Sequence, residues 1–99
     1  MNVLMVTSKV KEENAADAQA AIDKLIRALE QAQPAGVRYA ATRLSDGVTF
    51  LAFLELEPGQ EHPLRTFPAY TELLETFEAW RAEPAAVEHM TVIGSYQLF

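Results

Sequence analysis

Asp46-Gly47, standing between two largely apolar runs, is the feature that most narrows what this chain can become. Such a pair between strands is among the strongest short-range hairpin signals, because a type I′ turn needs positive φ at both central positions. The flanking runs are Gly36 to Ser45 and Val48 to Glu57. A two-residue loop sets their register. On one side of the sheet Ser45 faces Val48, Arg43 faces Phe50, Ala41 faces Ala52, Tyr39 faces Leu54 and Val37 faces Leu56. The other side carries Leu44 with Thr49, Thr42 with Leu51, Ala40 with Phe53, and Arg38 with Glu55.

The elements around the hairpin follow from periodicity. Asn2 to Val10 is rich in Val, Met and Leu, with Thr7 and Lys9 on alternate positions, and reads as a strand. Asn14 followed by Asp17 resembles an N-cap with an acidic first turn. From Ala15 to Gln33, Ala18, Ile22, Leu25, Ile26, Leu29 and Ala32 recur at spacings of three and four, an amphipathic helix about 28 Å long. Pro34 and Gly36 end it. Pro58 to Thr66 is a loop, with Pro58-Gly59 as a turn. A second helix begins at Phe67-Pro68, buries Tyr70, Leu73, Leu74, Phe77 and Trp80, and stops at Pro84. Val87 to Phe99 closes the chain as a strand, bent at Gly94.

The order β-α-β-β-α-β in 99 residues predicts one α+β domain spanning 1–99, a ferredoxin-like four-stranded antiparallel sheet with two helices on one face. The face with Tyr39, Ala41, Phe50, Ala52 and Leu54 is the more uniformly apolar and is assigned to the helices. Ala40, Leu44, Leu51 and Phe53 then lie on an uncovered face, which a second copy, sheet against sheet, would bury. Tyr96, Leu98 and Phe99 are apolar where a free tail would be polar, and are expected to dock on the partner of this homodimer.

Charge and composition exclude several classes. Eight Lys and Arg against fourteen Asp and Glu, a net charge of −6, leave no basic patch for nucleic acid or for an anionic membrane surface. With no cysteine there is no disulfide, Cys-ligated zinc, iron–sulfur cluster or thiol nucleophile, which is compatible with the cytoplasm. The opening MNVLMVTSKV lacks the basic n-region and long h-region of a signal peptide, and no apolar run is long enough to span a membrane.

From MNVLMVTSKV through the hairpin ATRLSDGVTFLAFLELE to VEHMTVIGSYQLF, the chain resembles the dimeric α+β barrel superfamily. In particular it resembles the small antibiotic biosynthesis monooxygenase-like proteins, in element order, length and texture. The resemblance implies a homodimer and a cofactor-independent monooxygenase acting on a hydrophobic aromatic or polyketide-like compound. Its rival is a non-catalytic dimer of the same fold that binds a metabolite or a protein. Haem-degrading members pair a first-strand Asn with a His on the second helix; here Val6 and Thr7 stand mid-strand and the second helix has no His, so no haem or other cofactor is expected. Members that oxidise polyketides use Asn, Trp, Tyr and Arg, and this resemblance makes Trp80, Tyr39 and Arg43 the catalytic candidates.

The residues themselves locate a candidate pocket. Ala41 opposite Ala52 leaves space at the centre of the helix-facing sheet, filled either by Trp80 or Phe77 or by a flat ligand between Tyr39, Phe50, Tyr70, Phe77 and Trp80. Arg43 is on the same face and, as a permanent cation, could hold an enolate or phenolate. His89 could serve this pocket if its strand face meets it. His62 and His89, each preceded by Glu, show no helical metal-ligand spacing, and no metal site is expected.

Overall fold

Each strand alternates between a face that meets helices and one that does not, and this alternation organises the molecule. The computed structural model describes residues 2–56 and 64–98. Its elements are β1 (Asn2–Lys9), a 3₁₀ turn (Glu12–Asn14), α1 (Ala15–Ala32), β2 (Tyr39–Arg43), β3 (Thr49–Leu56), α2 (Pro68–Trp80) and β4 (Ala86–Thr91). The sheet order is β2-β3-β1-β4 with every neighbouring pair antiparallel. β1 and β2 are therefore parallel with β3 between them, and β3 and β4 are parallel with β1 between them. This is the split β-α-β arrangement of a ferredoxin-like fold.

The hairpin register is the expected one: Tyr39 opposite Leu54, Ala41 opposite Ala52, and Arg43 opposite Phe50. Extending it through β1 aligns Leu4 with Leu54, Val6 with Ala52 and Ser8 with Phe50. β4 adds His89 beside Leu4 and Val87 beside Val6. This is the helix-facing side: Phe50 clusters with Ala15, Ala18, Leu25, Leu73 and Phe77, and Leu4 with Leu54 and Leu64. Ala40, Thr42, Leu51, Phe53 and Met5 alternate with these residues and carry no helix. On that outer side Arg38 pairs with Glu55 at 3.3 Å, as the register requires.

The turn differs from the expected type. Gly47 has φ +79°, but Asp46 does not adopt positive φ. Gly47 N–H instead donates to the Leu44 carbonyl at 3.0 Å, closing a turn across Ser45-Asp46, and Leu44 N–H donates to the Thr49 carbonyl at 2.8 Å. The Asp46 carboxylate explains the choice: Oδ1 accepts from the Val48 and Thr49 amides at 2.9 Å each, and Oδ2 from the Thr49 hydroxyl at 2.6 Å. Those bonds hold the Asp46 carboxyl below its ordinary range, the Thr49 hydroxyl contributing most. A turn across Ser45-Asp46 followed by a left-handed glycine thus keeps the two-residue register with a longer loop.

Element ends also depart from expectation, each for a local reason. Asn14 occupies the N-cap of α1 without a side-chain cap bond, because the preceding 3₁₀ turn, closed by its amide on the Lys11 carbonyl at 2.9 Å, holds it at φ −106°, ψ 2° and not in the extended conformation of a capping residue. Gln33 takes the left-handed C-cap conformation, φ 46°, and its amide returns to Leu29 at 2.8 Å. α2 starts as expected with Pro68 in its first turn, but ends at Trp80, short of Pro84. β4 stops at Thr91, so residues 92–98 do not continue the strand. Gly94 makes no bulge, and a side chain there would meet nothing within 4 Å. Ile93, Tyr96 and Leu98 stand exposed. The expectations at Pro58-Gly59, His62 and Phe99 lie outside the described residues.

Leu25 is 1% exposed on the buried stripe of α1, within the cluster formed with Phe50 and Phe77. Leu25→Ala should lower the unfolding free energy by about 2–5 kcal/mol, read from urea titrations with an unchanged m-value.

Candidate functional site

The sheet face beneath α2 alternates large and small side chains, and where small ones meet, space remains. A cavity of about 40 Å³ lies there. Its floor is Val6 and Ser8 from β1, Tyr39 from β2, and Phe50 and Ala52 with the edge of Leu51 from β3, and its roof is Tyr70, Leu73, Leu74 and Phe77 from α2 with Ile22 from α1. At about 10–15 Å³ per water-sized probe it holds a few such groups, too few for a fused-ring molecule. Beside it, a wider groove of about 460 Å³ opens between α2, β1 and β4. Val6, Tyr70, Leu74 and Arg81 line both and form the partition between them.

Arg81 reaches this partition through backbone pairing. The chain leaving α2 forms an antiparallel bridge with Val10, fixed by Lys11 N–H to the Trp80 carbonyl at 2.9 Å and Ala82 N–H to the Lys9 carbonyl at 2.8 Å. Bridge partners share a face, and Val10 is a core residue at 1% exposure, so the Arg81 side chain enters on the helix-facing side. Its Nε is buried and has no hydrogen-bond partner among the described residues. A buried donor of a charged group without an acceptor is costly, which makes it the chemically unfinished point of the site.

The aromatic walls are ordered by their own contacts. Tyr39 meets Tyr70 edge to face with centroids 6.5 Å apart, and Phe50 meets Phe77 likewise at 6.0 Å. Burial, reinforced by the nearby Tyr70, pushes the Tyr39 phenol far above its ordinary value of 10.0, and burial raises that of Tyr70. Both therefore stay protonated and can serve as hydrogen-bond donors, not as bases, near neutral pH.

Of the residues singled out in the sequence, Tyr39, Phe50, Tyr70 and Phe77 come together on the cavity. Arg43 is on the expected face but at the exposed end of β2, outside the cavity lining. Its Nε donates to the Gly47 carbonyl at 2.9 Å, its Nη1 to Gln19 Oε1 at 2.8 Å, and it stacks on Phe50 at 5.6 Å, tying the hairpin to α1. Trp80 packs on Phe77 at 6.1 Å without lining the cavity. His89 shares the helix-facing side of β4 with Val87 but is exposed and lines neither space. Sequence reasoning missed Ser8 and Arg81. Arg81 continues the α2 stripe four positions beyond Phe77, and Ser8 is the polar member of the Leu4, Val6, Ser8, Val10 series, so both left a periodic signal.

Among the described residues no three His, Cys, Asp or Glu side chains gather as metal ligands, and no helix is long and apolar enough to cross a membrane.

The fold is ferredoxin-like α+β, and solved antibiotic biosynthesis monooxygenases share it. One antibiotic biosynthesis monooxygenase matches with a TM-score of 0.75 at 16% identity, over 95% of this chain and 100% of that one. Rv0793 from Mycobacterium tuberculosis matches with a TM-score of 0.75 at 17% identity, over 95% and 96%. The ActVA-Orf6 monooxygenase of Streptomyces coelicolor, solved with nanaomycin D, matches at 0.66 and 18% identity, over 96% and 89%. No family model and no curated protein matches the sequence. At these identities the likeness is one of fold.

The buried phenols give the protein an alkaline limit. Their folded values lie above the unfolded one, so the stability they contribute is present below pH about 10 and is lost as pH rises beyond it. In urea titrations across alkaline pH, Tyr39→Phe should flatten this decline relative to the parent chain. Equal slopes would contradict the burial assigned to Tyr39.

Proposed function

We propose that this chain binds a hydrophobic aromatic, polyketide-like small molecule beneath α2 and acts on it as a cofactor-independent monooxygenase. The observation that carries this reading is the buried, unpartnered Arg81 Nε beside an aromatic-walled cavity. A guanidinium there would stabilise an enolate or phenolate oxygen, favouring the electron-rich form of the ligand that reacts with O₂. The Tyr39 phenol would donate to the same oxygen, while Phe50 and Phe77 keep water from it. In this role Arg81 replaces Arg43, whose guanidinium is engaged by Gly47 and Gln19. Trp80 supports the site through Phe77, and His89 stands outside it. The fold shared with a monooxygenase solved with nanaomycin D agrees with this substrate class.

A second reading, a binding protein without turnover, is favoured by one observation. Among the described residues lining the cavity, none titrates near neutral pH, since both phenols are raised and His89 is elsewhere. A panel of hydroxylated polycyclic aromatics in an oxygen electrode separates the two. Consumption that falls about 100-fold or more in Arg81→Gln, with binding retained, supports the oxygenase; no consumption with any compound leaves the binding protein.

The working unit in this proposal is a homodimer formed through the outer sheet face. Leu51 and Phe53 stand on that face without helix cover, and Ile93, Tyr96 and Leu98 extend exposed from the end of β4. Burying both against a second copy removes apolar surface that a monomer would leave in water. Phe53→Glu should convert the dimer to a folded monomer in light scattering. An unchanged dimer would mean the interface lies elsewhere.

A further inference from the structure

We infer that the ligand binds as a planar oxyanion, its charged head turned inward onto Arg81 and its apolar body lying in the outer groove. This rests on the reading of the space beneath α2 as a small-molecule site, adds the orientation of what fills it, and extends the charged head from an enolate or phenolate to a carboxylate. Size sets the orientation. The inner cavity of about 40 Å³ admits a carboxylate or a ring oxygen but not a fused-ring body, whereas the groove of about 460 Å³ is in the range of small-molecule sites.

Apolar walls favour the same arrangement. The groove is lined by Leu4, Leu74 and Val87, of which Leu74 is 41% and Val87 57% exposed, surface that a flat hydrophobic body would cover.

Charge sets the chemistry. The chain carries six more acidic than basic groups, yet Arg81 lines both spaces and no Asp or Glu is among the described residues lining either. Arg81 touches both spaces, and the unpartnered donor on its Nε calls for an acceptor. A guanidinium in a partly buried, apolar setting gains most from an ionised planar acceptor, which it can engage through parallel N–H bonds. A neutral acceptor would satisfy the Nε donor but gain less from the cation than an ionised one.

The test measures affinities for matched pairs by calorimetry under mildly alkaline conditions: 2-naphthoate against 2-naphthamide for a carboxylate, and 1-nitro-2-naphtholate against its methyl ether for a phenolate. At least one anion should bind about tenfold or more tightly than its neutral partner, and the pair showing the preference identifies the source of the oxyanion. Arg81→Gln should abolish the preference while leaving the neutral compounds bound, and Arg81→Lys should restore part of it. Equal affinity within both pairs, or a preference that survives in Arg81→Gln, would overturn the oxyanion claim and leave the small-molecule reading standing. If none of the four compounds binds, both fall.

Discussion

Two amphipathic helices can cover only one face of a four-stranded sheet, and this constraint governs the structure. Which residues go under the helices is decided by strand alternation, and alternation is locked by the Leu44–Thr49 closure and the Asp46 carboxylate that organises the turn. A one-residue slip would exchange Phe50, Ala52 and Leu54 for Leu51 and Phe53 and invert the molecule. β1, inserted between β3 and β4, inherits the same phase, which is why Leu4, Val6 and Ser8 share the buried side with Phe50.

The site is a product of that phase. Val6, Ser8 and Ala52 are small, so the sheet leaves a hollow where the larger Phe50 and Tyr39 leave none, and the α2 aromatics bridge it. The backbone bridge between Val10 and Arg81 then brings a cation to its edge. Cavity, aromatic walls and guanidinium thus come from three strands, both helices and the segment leaving α2, held in one register.

Much of this was legible in the sequence because it is periodic. The hairpin pairing, both helices and the cavity residues Tyr39, Phe50, Tyr70 and Phe77 follow from spacings of two and of three to four. Features that depend on competition between local hydrogen bonds were not legible. The type I′ geometry expected of Asp46-Gly47 loses to a carboxylate that accepts three bonds, and the cap expected of Asn14 loses to a 3₁₀ turn. Arg43 looked like the pocket cation because register alone cannot tell the exposed end of a strand from its middle. Arg81 lies just past the helix terminus, where periodicity ceases to be read, although its position continues the stripe. The final strand ends at Thr91, the residue paired with Asn2 at the start of β1, a limit that alternation along β4 alone does not reveal.

The central claim, that the functional surface lies beneath α2 and not on the open sheet face, is tested most directly by intermolecular nuclear Overhauser effects from bound 2-naphthoate. Ring protons should show contacts to the methyls of Val6, Leu74 and Val87, which line the groove beside Arg81. Contacts to Met5 and Phe53, paired on the opposite face of the same strands, would contradict it.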